Sequence, residues 1–456
     1  METDSKMLER QRAYFASGQT KSIGFRLEQL KKLRDSIQRH EQEVLEALRQ
    51  DLHKSAFEGY ATEVGLVYEE LNGMKKHLRR WAKPKRRMPS IVHFPASGRI
   101  YREPYGSVLI MSPWNYPFQL TMMPLIGAIA AGNCAVVKPS AYAPHTANVV
   151  KTILEDCFDP AYVAVVLGGR EENKHLLEEH FDYIFFTGSP NVGKVVMEAA
   201  AKHLTPVTLE LGGKSPCIVD ETADLPLAAK RIVWGKFLNA GQTCIAPDYL
   251  LVHEAVKELF LAELNRQITA AFGAQPLDAE ELPKIINEKH FARLRGLMDS
   301  GTIVVGGQVR EETLQIAPTV LDGVSWDSPI MQEEIFGPLF PVLTFENFDA
   351  MLHEITSRPK PLALYLFTAS RVREKQTIDT VSFGGGTIND TIVHIASSTM
   401  PFGGVGNSGM GQYHGKASFE TFTHPKTVVR RGTWLDIPLR YPPHGNRLKL
   451  LKKIMK

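Results

Sequence analysis

The sequence predicts an α/β fold with two doubly wound parallel sheets, and three observations carry this prediction. From about residue 101 onward, short apolar runs that end at turn residues alternate with helical patterns, which is typical of parallel sheets covered by helices. The chain has 456 residues, enough for two or three domains. Hydrophobic residues make up 43% of it and charged residues 23%, as in soluble globular proteins.

The first eighty residues show helical patterns. Apolar residues recur at spacings of two to four over 25–37, with Lys, Arg and Glu between them, and this periodicity predicts a helix with one buried face. A second helix is predicted around 44–48 and a third over 67–74. A basic, proline-bearing joint at 83–87 then ends the helical region.

Strands and helices alternate in the first α/β region. The strands are predicted from apolar runs bounded by turn residues, and the helices from apolar residues at helical spacing. The predicted strands are 107–111, 135–137, 163–167 and 183–186. The predicted helices are 120–131, 141–158 and 195–204.

A second α/β region is predicted from about Thr208 to Ile395. Glycine-rich segments at 384–386 and 403–404 lie at its far end. The tail at 447–456 then places apolar residues among five basic ones. We find no internal repeat in the chain, so a solenoid or propeller is not indicated.

The composition excludes several classes of protein. The net charge of +3 is too small for this length to indicate nucleic-acid binding. The four cysteines include no C-x-x-C pair, so no metal site is predicted, and few scattered cysteines fit a reducing compartment. The polar N-terminus does not match a signal peptide, and the longest apolar stretch, at 124–132, is about half of the roughly 20 residues that a membrane helix needs. We therefore expect a cytoplasmic protein.

A candidate phosphate-binding turn follows the predicted strand at 183–186. Gly188 and Gly193 are five positions apart, as are the first and third glycines of the G-x-G-x-x-G turn that binds dinucleotides. Ser189 lies between them, and Pro190 takes the middle position, where glycine normally lets the backbone approach the pyrophosphate. The turn therefore fits either a nucleotide site or an ordinary strand-to-helix connection.

Five further segments occur in a fixed order along the chain. They are PWNYP at 113–117, ELGGKSP at 210–216, GQTCIAP at 241–247, EEIFGP at 333–338 and PFGGVGNSG at 401–409. Together they resemble the aldehyde dehydrogenase superfamily, and the resemblance extends from the N-terminal helices to about Thr423. The short chain and the segments SFGGGTIND at 382–390 and GMGQYHG at 409–415 resemble its class 3 branch, the fatty and aromatic aldehyde dehydrogenases.

The resemblance implies an aldehyde-dehydrogenase-like architecture with a small oligomerisation element. The NAD(P)-binding domain is expected over 1–207, interrupted by a hairpin near 88–106, and the catalytic domain over 208–395. The C-terminal oligomerisation segment and the basic tail are expected over 396–456. Class 3 relatives also imply a homodimer. The tail is too short to span a bilayer, and we prefer a frayed or dimer-packed end to a lid or a membrane-surface helix.

The same resemblance implies three catalytic residues. Cys244 is the expected nucleophile: its thiolate adds to an aldehyde, and the tetrahedral adduct expels hydride to a nicotinamide and leaves a thioester. Asn115 is the expected oxyanion donor together with the backbone N–H of Cys244. Glu210 is the expected base that activates the hydrolytic water. The structural alternatives are a buried cysteine, a turn asparagine and a glutamate that caps a strand end.

The cofactor implied by the resemblance is NAD, and we expect NADP to be accepted as well. In many relatives a glutamate follows Lys-Pro-Ser and repels a 2′-phosphate, whereas position 141 here is Ala. For Lys138 and Glu334, the structural alternative to cofactor binding is a surface ion pair. The expected cofactor-binding residues are Lys138, Gly188, Ser189, Gly193, Gly212, Glu334 and Phe336.

The substrate mouth is expected to carry aromatic and branched side chains. Such walls suit medium-chain aliphatic or aromatic aldehydes, although an aromatic cluster also fits ordinary core. No arginine or lysine cluster lies beside the motifs to bind a second carboxylate, which argues against semialdehydes. The expected pocket residues are Tyr116, Trp234, Ile392, Phe402 and His414.

Three other functions remain open at the level of sequence. A coenzyme-A-acylating aldehyde dehydrogenase, or an acyl reductase that runs the reaction the other way, keeps the cysteine but does not depend on Glu210. A catalytically silent relative is a second alternative, and the joint retention of Asn115, Cys244, Glu210 and Glu334 argues against it. A cysteine hydrolase would need a histidine partner for Cys244, and the sequence nominates none.

Overall fold

Two sheets organise the chain in the computed structural model, which describes residues 4–90, 93–436 and 440–455. In the first sheet all neighbouring strands are parallel except one pair at an edge, in which Gly409–Met410 runs antiparallel to Val207–Glu210. From edge to edge its six strands are Gly409–Met410, Val207–Glu210, Tyr183–Thr187, Ser107–Met111, Cys134–Lys138 and Val163–Val165.

Strand order reverses in the middle of this sheet. The chain runs outward from Ser107–Met111 through two parallel neighbours, and then returns to the other side of Ser107–Met111 with Tyr183–Thr187. The connections that leave these two strands diverge, so a crevice forms beyond their carboxyl ends. The loops after residues 111 and 187 therefore face each other.

The second sheet has seven strands, and only its edge strand Thr302–Val305 is antiparallel. The doubly wound fold class predicted from the sequence is thus confirmed. From edge to edge the strands are Thr302–Val305, Thr319–Asp322, Leu339–Phe345, Tyr249–His253, Pro216–Val219, Ala363–Phe367 and Gly385–Ile388.

The helices cover these sheets, and a wholly buried one, Gln119–Ala131, packs between the first sheet and the N-terminal helices. Among the described residues no helix is both long and apolar enough to cross a membrane. The α-helices are Asp4–Ala16, Ile23–Arg39, Glu41–Leu52, Ala56–Gly59, Gly65–Trp81, Gln119–Ala131, Pro144–Cys157, Arg170–Glu178, Pro190–Ala201, Leu225–Phe237, Lys257–Phe272, Glu288–Leu297, Pro329–Gln332, Phe348–Thr356, Arg371–Thr380, Lys416–Thr421 and Leu448–Ile454.

The predicted elements are found with shifted ends. The helix predicted over 141–158 begins at Pro144, a residue suited to the first helical turn. The helix predicted over 195–204 begins earlier, at Pro190, and ends at Ala201, and Leu204 lies in the left-handed region with φ 56°. The strand predicted over 163–167 ends at Val165.

The predicted domain boundary between residues 207 and 208 needs correction. Val207–Glu210 pairs with Tyr183–Thr187 and therefore belongs to the first sheet. The next strand, Pro216–Val219, belongs to the second sheet. The strand Gly409–Met410, from the segment assigned to oligomerisation, completes the first sheet. The passage between the sheets is thus the loop after Glu210.

A third, small antiparallel sheet lies outside both. It joins Lys85–Arg87, Ala96–Pro104 and Thr423–Arg431, with Ala96–Pro104 in the centre. Residues 91–92 of the hairpin predicted near 88–106 lie outside the described residues. A further two-stranded ribbon joins Val309–Arg310 and Gln315–Ile316.

The basic tail forms one short helix, Leu448–Ile454. The side chains of Leu448, Leu450, Leu451 and Met455 are exposed in the single chain. The last residue of the predicted tail, 456, lies outside the described residues. These four apolar side chains are therefore not covered by other parts of the same chain.

Candidate active site

Two cavities meet at one cysteine. The larger, the crevice cavity, has a volume of about 950 Å³ and lies beyond the carboxyl ends of the first sheet. Of the residues singled out from the sequence, it brings together Asn115, Gly188, Ser189, Glu210, Gly212, Cys244, Glu334 and Phe336.

The smaller cavity, which we call the apolar cavity, has a volume of about 760 Å³. It lies between the N-terminal helices and the second sheet's helices. Cys244 and Leu120 line both cavities, so the thiol lies where they join. The apolar side chains of its wall include Phe57, Leu66, Tyr116, Leu120, Val233, Trp234, Phe237, Ile245 and Ile392.

Cys244 follows an unusual backbone turn. Helix Leu225–Phe237 ends in the turn Leu238–Gly241, where Asn239 has φ 52° and Ala240 has φ 51°. Gly241 has φ 72°, and a Cβ there would collide with the carbonyl oxygen of Gly337. Left-handed residues in succession are costly outside glycine, so this turn persists because its surroundings hold it.

The Cys244 thiol has a raised pKa in this protein. Burial is the first cause, and the carboxyls of Glu334 and Glu210 add to it. A thiol in such surroundings stays protonated at neutral pH. The site therefore needs a base that removes the proton when the thiol reacts.

Asn115 is buried with 3% of its surface exposed. Its side-chain Nδ2 donates to the carbonyl oxygen of Gln242 at 3.0 Å. An amide NH₂ has two N–H donors, so one remains for an oxygen bound beside Cys244. Asn115 is thus tied to the cysteine loop and still able to donate.

Glu210 ends the strand Val207–Glu210 and is 2% exposed. Neither carboxyl oxygen has a hydrogen-bond partner among the described residues. Burial raises the pKa of this carboxyl well above its usual value. An unpartnered buried carboxyl destabilises a fold, and such groups are characteristic of proton-transfer sites.

Glu334 and Phe336 reach the crevice cavity from the loop before strand Leu339–Phe345. Glu334 Oε1 accepts the N–H of Gly213 at 3.1 Å. Burial, with Asp248 nearby, raises the pKa of Glu334 to about 8. A Cβ on Gly212 would collide with the Glu334 carboxyl, so glycine is required for this close approach. Phe336 packs edge-on against Trp114 at 5.3 Å between ring centroids.

The turn after strand Tyr183–Thr187 starts a helix rather than a three-glycine loop. Ser189 caps helix Pro190–Ala201, its Oγ accepting the N–H of Val192 at 3.5 Å. Pro190 is the first helical residue, where the missing N–H costs no hydrogen bond. Gly193 packs on Leu211, and a Cβ there would lie 2.8 Å from Leu211 Cδ2. Gly193 is therefore a packing glycine and does not line the crevice cavity.

Lys138 is also absent from the wall of the crevice cavity. Its Nζ donates to the carbonyl oxygens of Gly168 at 2.7 Å and Pro139 at 3.0 Å. Burial lowers the pKa of this lysine. Lys138 is thus held by backbone carbonyls and not by the surface ion pair given above as its structural alternative. The contact of Lys138 with a cofactor stays a prediction.

The predicted substrate residues divide into two groups. Tyr116, Trp234 and Ile392 line the apolar cavity. Phe402 and His414 do not, and their contact with a substrate stays a prediction. Phe402 and Tyr413 exchange two backbone hydrogen bonds, and the rings of Phe402 and His414 pack together with a 5.7 Å centroid distance inside the core.

Three charged residues near the site were missed from the sequence. Glu58 lines the apolar cavity, and Lys54 and Glu63 form a fully buried ion pair behind Asn115. They lie in a short, mostly polar stretch whose periodicity does not mark a buried face. Only their contacts with residues far along the chain give them a role.

Comparison with known proteins agrees with this geometry. The chain matches the model described as the aldehyde dehydrogenase family over residues 5–428. It is 49% identical to the 4,4'-diaponeurosporen-aldehyde dehydrogenase of Staphylococcus aureus over 98% of this chain and 97% of that protein. It is 45% identical to the dimeric NADP-preferring aldehyde dehydrogenase of Canis lupus familiaris over 96% of this chain and 97% of that protein. The solved substrate-bound state of Staphylococcus aureus AldH superposes with a TM-score of 0.98 at 48% identity over 100% of both chains.

The raised pKa of Cys244 gives a testable pH dependence. While pH stays below the pKa, the thiolate fraction grows about tenfold per pH unit. We expect iodoacetamide to alkylate Cys244 slowly at pH 7 and about tenfold faster per unit up to pH 9, as measured by peptide mass spectrometry without added ligand. Circular dichroism at each pH serves as the control for folding. A labelling rate that levels off below pH 8 would contradict the raised pKa.

Proposed function

Because the chain belongs to the aldehyde dehydrogenase family, we propose that its substrates are medium-chain aliphatic or aromatic aldehydes. NAD(P)-dependent oxidation of aldehydes to acids is the activity of the family. The observation that carries the proposal is the position of Cys244, where an apolar cavity meets a crevice with two buried carboxyls. The thiol can thus receive an apolar aldehyde from one side and a cofactor from the other.

Cys244 begins the reaction by adding its sulfur to the aldehyde carbon. The C=O π bond breaks, its electron pair moves to oxygen, and the thiol proton passes to a base. Glu210 is suited to that task in its ionised form, because a carboxyl with a raised pKa holds a proton more strongly than an ordinary one. The product is a thiohemiacetal on Cys244.

Asn115 stabilises the oxygen of this adduct. Its free amide N–H and the backbone N–H of Cys244 are the proposed donors. Such donors accelerate reaction because they point at charge that develops only in the transition state. The bond to Gln242 O keeps the amide in place beforehand.

The crevice cavity fits a dinucleotide in this protein. Gly188 and Gly212 line its wall, where a Cβ would overlap the Phe186 ring and the Glu334 carboxyl respectively, and the start of helix Pro190–Ala201 opens on the cavity. Free backbone N–H groups at a helix start suit phosphate. The proposed holders are Ser189 for the phosphates and Glu334 with Phe336 for the nicotinamide half. NAD(P)⁺, when bound, supplies the hydride acceptor that oxidation of the thiohemiacetal requires.

Glu210 acts again when the thioester is hydrolysed. Once the proton taken from the thiol has passed to solvent, the Glu210 carboxylate takes a proton from water, the water oxygen adds to the thioester carbon, and the C–S bond breaks; that proton then passes to the departing sulfur. The acid leaves and Cys244 is restored as the thiol. A water-activating carboxyl next to the cysteine favours this route over transfer to coenzyme A.

The wall of the apolar cavity supports an uncharged substrate. Besides its apolar side chains, it contains two carboxyls, Glu58 and Glu281, and one ammonium, Lys230, among the described residues. A second carboxylate on the aldehyde would be desolvated there without a matching cation cluster. The relative from Staphylococcus aureus is named for 4,4'-diaponeurosporen-aldehyde, so this aldehyde also belongs among the test substrates. A cytoplasmic location and the role of the tail stay predictions.

The central test follows NAD(P)H formation at 340 nm with hexanal, decanal, benzaldehyde and succinic semialdehyde, without coenzyme A. We expect wild-type turnover of the first three aldehydes and background rates for Cys244→Ala. Cys157→Ala, a cysteine outside both cavities, is the matched control and keeps full activity. Turnover that requires coenzyme A would favour a coenzyme-A-acylating aldehyde dehydrogenase instead. Inactivity both with and without coenzyme A would favour a catalytically silent relative.

Ala141 supports a second proposal, that NADP⁺ is accepted. Its side chain is exposed and uncharged, just after Lys138-Pro-Ser. We expect the kcat/KM values for NAD⁺ and NADP⁺ to differ by less than a thousandfold. Ala141→Glu should lower kcat/KM for NADP⁺ by about tenfold or more through like-charge repulsion, whereas the neutral isostere Ala141→Gln should not. A wild-type preference for NAD⁺ above a thousandfold would reject the proposal.

A homodimer is the proposed assembly. Thr423–Arg431 is the edge of the small sheet, and its Val428 and Val429 side chains are 45% and 55% exposed. Exposed apolar residues on an open strand edge favour pairing with another chain. We expect light scattering to give the mass of two chains, and Val429→Glu to shift it toward one. Val372→Glu, at an exposed valine on helix Arg371–Thr380, is the control and leaves the dimer unchanged.

A further inference from the structure

Three charged side chains lie buried behind the active-site wall. Lys54 is 1% exposed, Glu63 0% and Glu58 8%. They come from the segment between helices Glu41–Leu52 and Gly65–Trp81, which includes the π-helical turn Tyr60–Val64. Charged groups are rarely buried unless each is paired, and none of the three takes part in the thiol chemistry above. Their contacts therefore need an explanation.

The ammonium group of Lys54 makes three contacts. Its Nζ donates to Glu63 Oε1 at 2.6 Å and to the backbone oxygen of Asn115 at 3.1 Å. It also lies 4.0 Å from the centre of the Tyr116 ring, within the range of a cation–π contact. An ammonium has three N–H donors, and these three contacts account for them. The lysine is thus fixed on two neighbouring active-site residues.

Glu63 also binds the segment that follows Asn115 and Tyr116. Its other oxygen, Oε2, accepts the N–H groups of Phe118 at 2.8 Å and Gln119 at 3.2 Å. These N–H groups lie at the start of helix Gln119–Ala131, where no helical partner exists for them. The ion pair therefore fixes the segment from Asn115 to Gln119 at both of its ends.

Glu58 binds the turn before Cys244, on the other side of the active-site wall. Its Oε1 accepts the backbone N–H of Asn239 at 2.9 Å, in the left-handed turn that precedes Cys244. The Asn239 side chain in turn donates to the backbone oxygen of Asn115 at 2.8 Å. A carbonyl oxygen has two lone pairs, so Lys54 and Asn239 together satisfy that of Asn115.

We propose that Lys54, held by Glu63, is a positioning residue for the oxyanion donor Asn115. The inference rests on the proposed function, because it assigns Lys54 a role through that amide. A hydrogen bond to a charged donor is stronger than a neutral one, and this one fixes the Asn115 peptide through its carbonyl oxygen. The Asn115 amide is thereby aimed before substrate arrives, which is the condition for transition-state stabilisation.

The test compares Lys54→Met with wild type, using hexanal and NAD⁺. A shift of the amide by about 1 Å can cost on the order of 100-fold in rate, so we expect kcat to fall about 10- to 100-fold. The Kd for NAD⁺ should stay unchanged, since Lys54 does not line the crevice cavity. Lys257→Met removes a lysine from a remote 2.8 Å ion pair with Asp322 and should leave both values unchanged.

A double-mutant cycle separates positioning from a general structural role. If Lys54 acts through Asn115, then Asn115→Ala and the double variant Lys54→Met/Asn115→Ala have the same kcat. The inference is overturned if Lys54→Met lowers kcat by the same factor in both backgrounds, or leaves the wild-type rate unchanged. Should Lys54→Met not fold, Glu63→Gln replaces it in the cycle, because the amide oxygen still accepts the Phe118 and Gln119 N–H groups while the charge that holds Lys54 is gone.

Hydrogen exchange distinguishes failure of this inference from failure of the proposed function. Positioning by Lys54 predicts faster exchange of the backbone N–H groups of residues 115, 116, 118 and 119 in Lys54→Met, whichever substrate the enzyme uses. An active wild type with unchanged exchange and unchanged kcat in the variant rejects the role of Lys54 and leaves the proposed function standing. A wild type inactive toward every aldehyde rejects the proposed function, and exchange alone then decides the positioning.

Discussion

Strand order reverses between Ser107–Met111 and Tyr183–Thr187, and the site depends on that reversal. Because the connections leave these neighbouring strands in opposite directions, a crevice opens beyond their carboxyl ends. Asn115 and Ser189 come from the loops at its rim, and Glu210 ends the next strand along. The second α/β region then contributes the loops that carry Cys244 and Glu334.

Water exclusion is the second constraint, and it acts on all three titratable groups at the junction. Burial raises the pKa of Cys244, Glu210 and Glu334 alike. Three anions together in one dry site would repel one another strongly. Burial therefore disfavours ionisation of all three groups at once, and an ionised Glu210 is accommodated best while the Cys244 thiol keeps its proton. The backbone contributes to this setting, since the Gly213 N–H donates to Glu334 Oε1.

Much of this could be read from the sequence, because local signals determine it. The buried strands were apolar runs between turn residues, and the motifs around Cys244 and Glu210 lie together in the chain. What could not be predicted depends on long-range pairing. The assignment of Val207–Glu210 to the first sheet is decided by its neighbour Tyr183–Thr187. Phe402 forms a backbone bridge with Tyr413 and packs against the ring of His414 in the core. The contact of Lys54 with Asn115 joins two regions that no local pattern connects.

The pairing of Gly409–Met410 with Val207–Glu210 also bears on how the protein is made. A nascent chain emerges from its N-terminus, and domains generally fold in that order. The strand that carries Glu210 leaves the ribosome well before its antiparallel neighbour, so its edge stays open while the residues between the two strands are synthesised. Open strand edges are sites of mispairing. Completion of the first sheet, and with it the mature setting of Glu210, is therefore a late event of biosynthesis, and chains that stop before residue 409 would present an unfinished edge to the quality-control machinery.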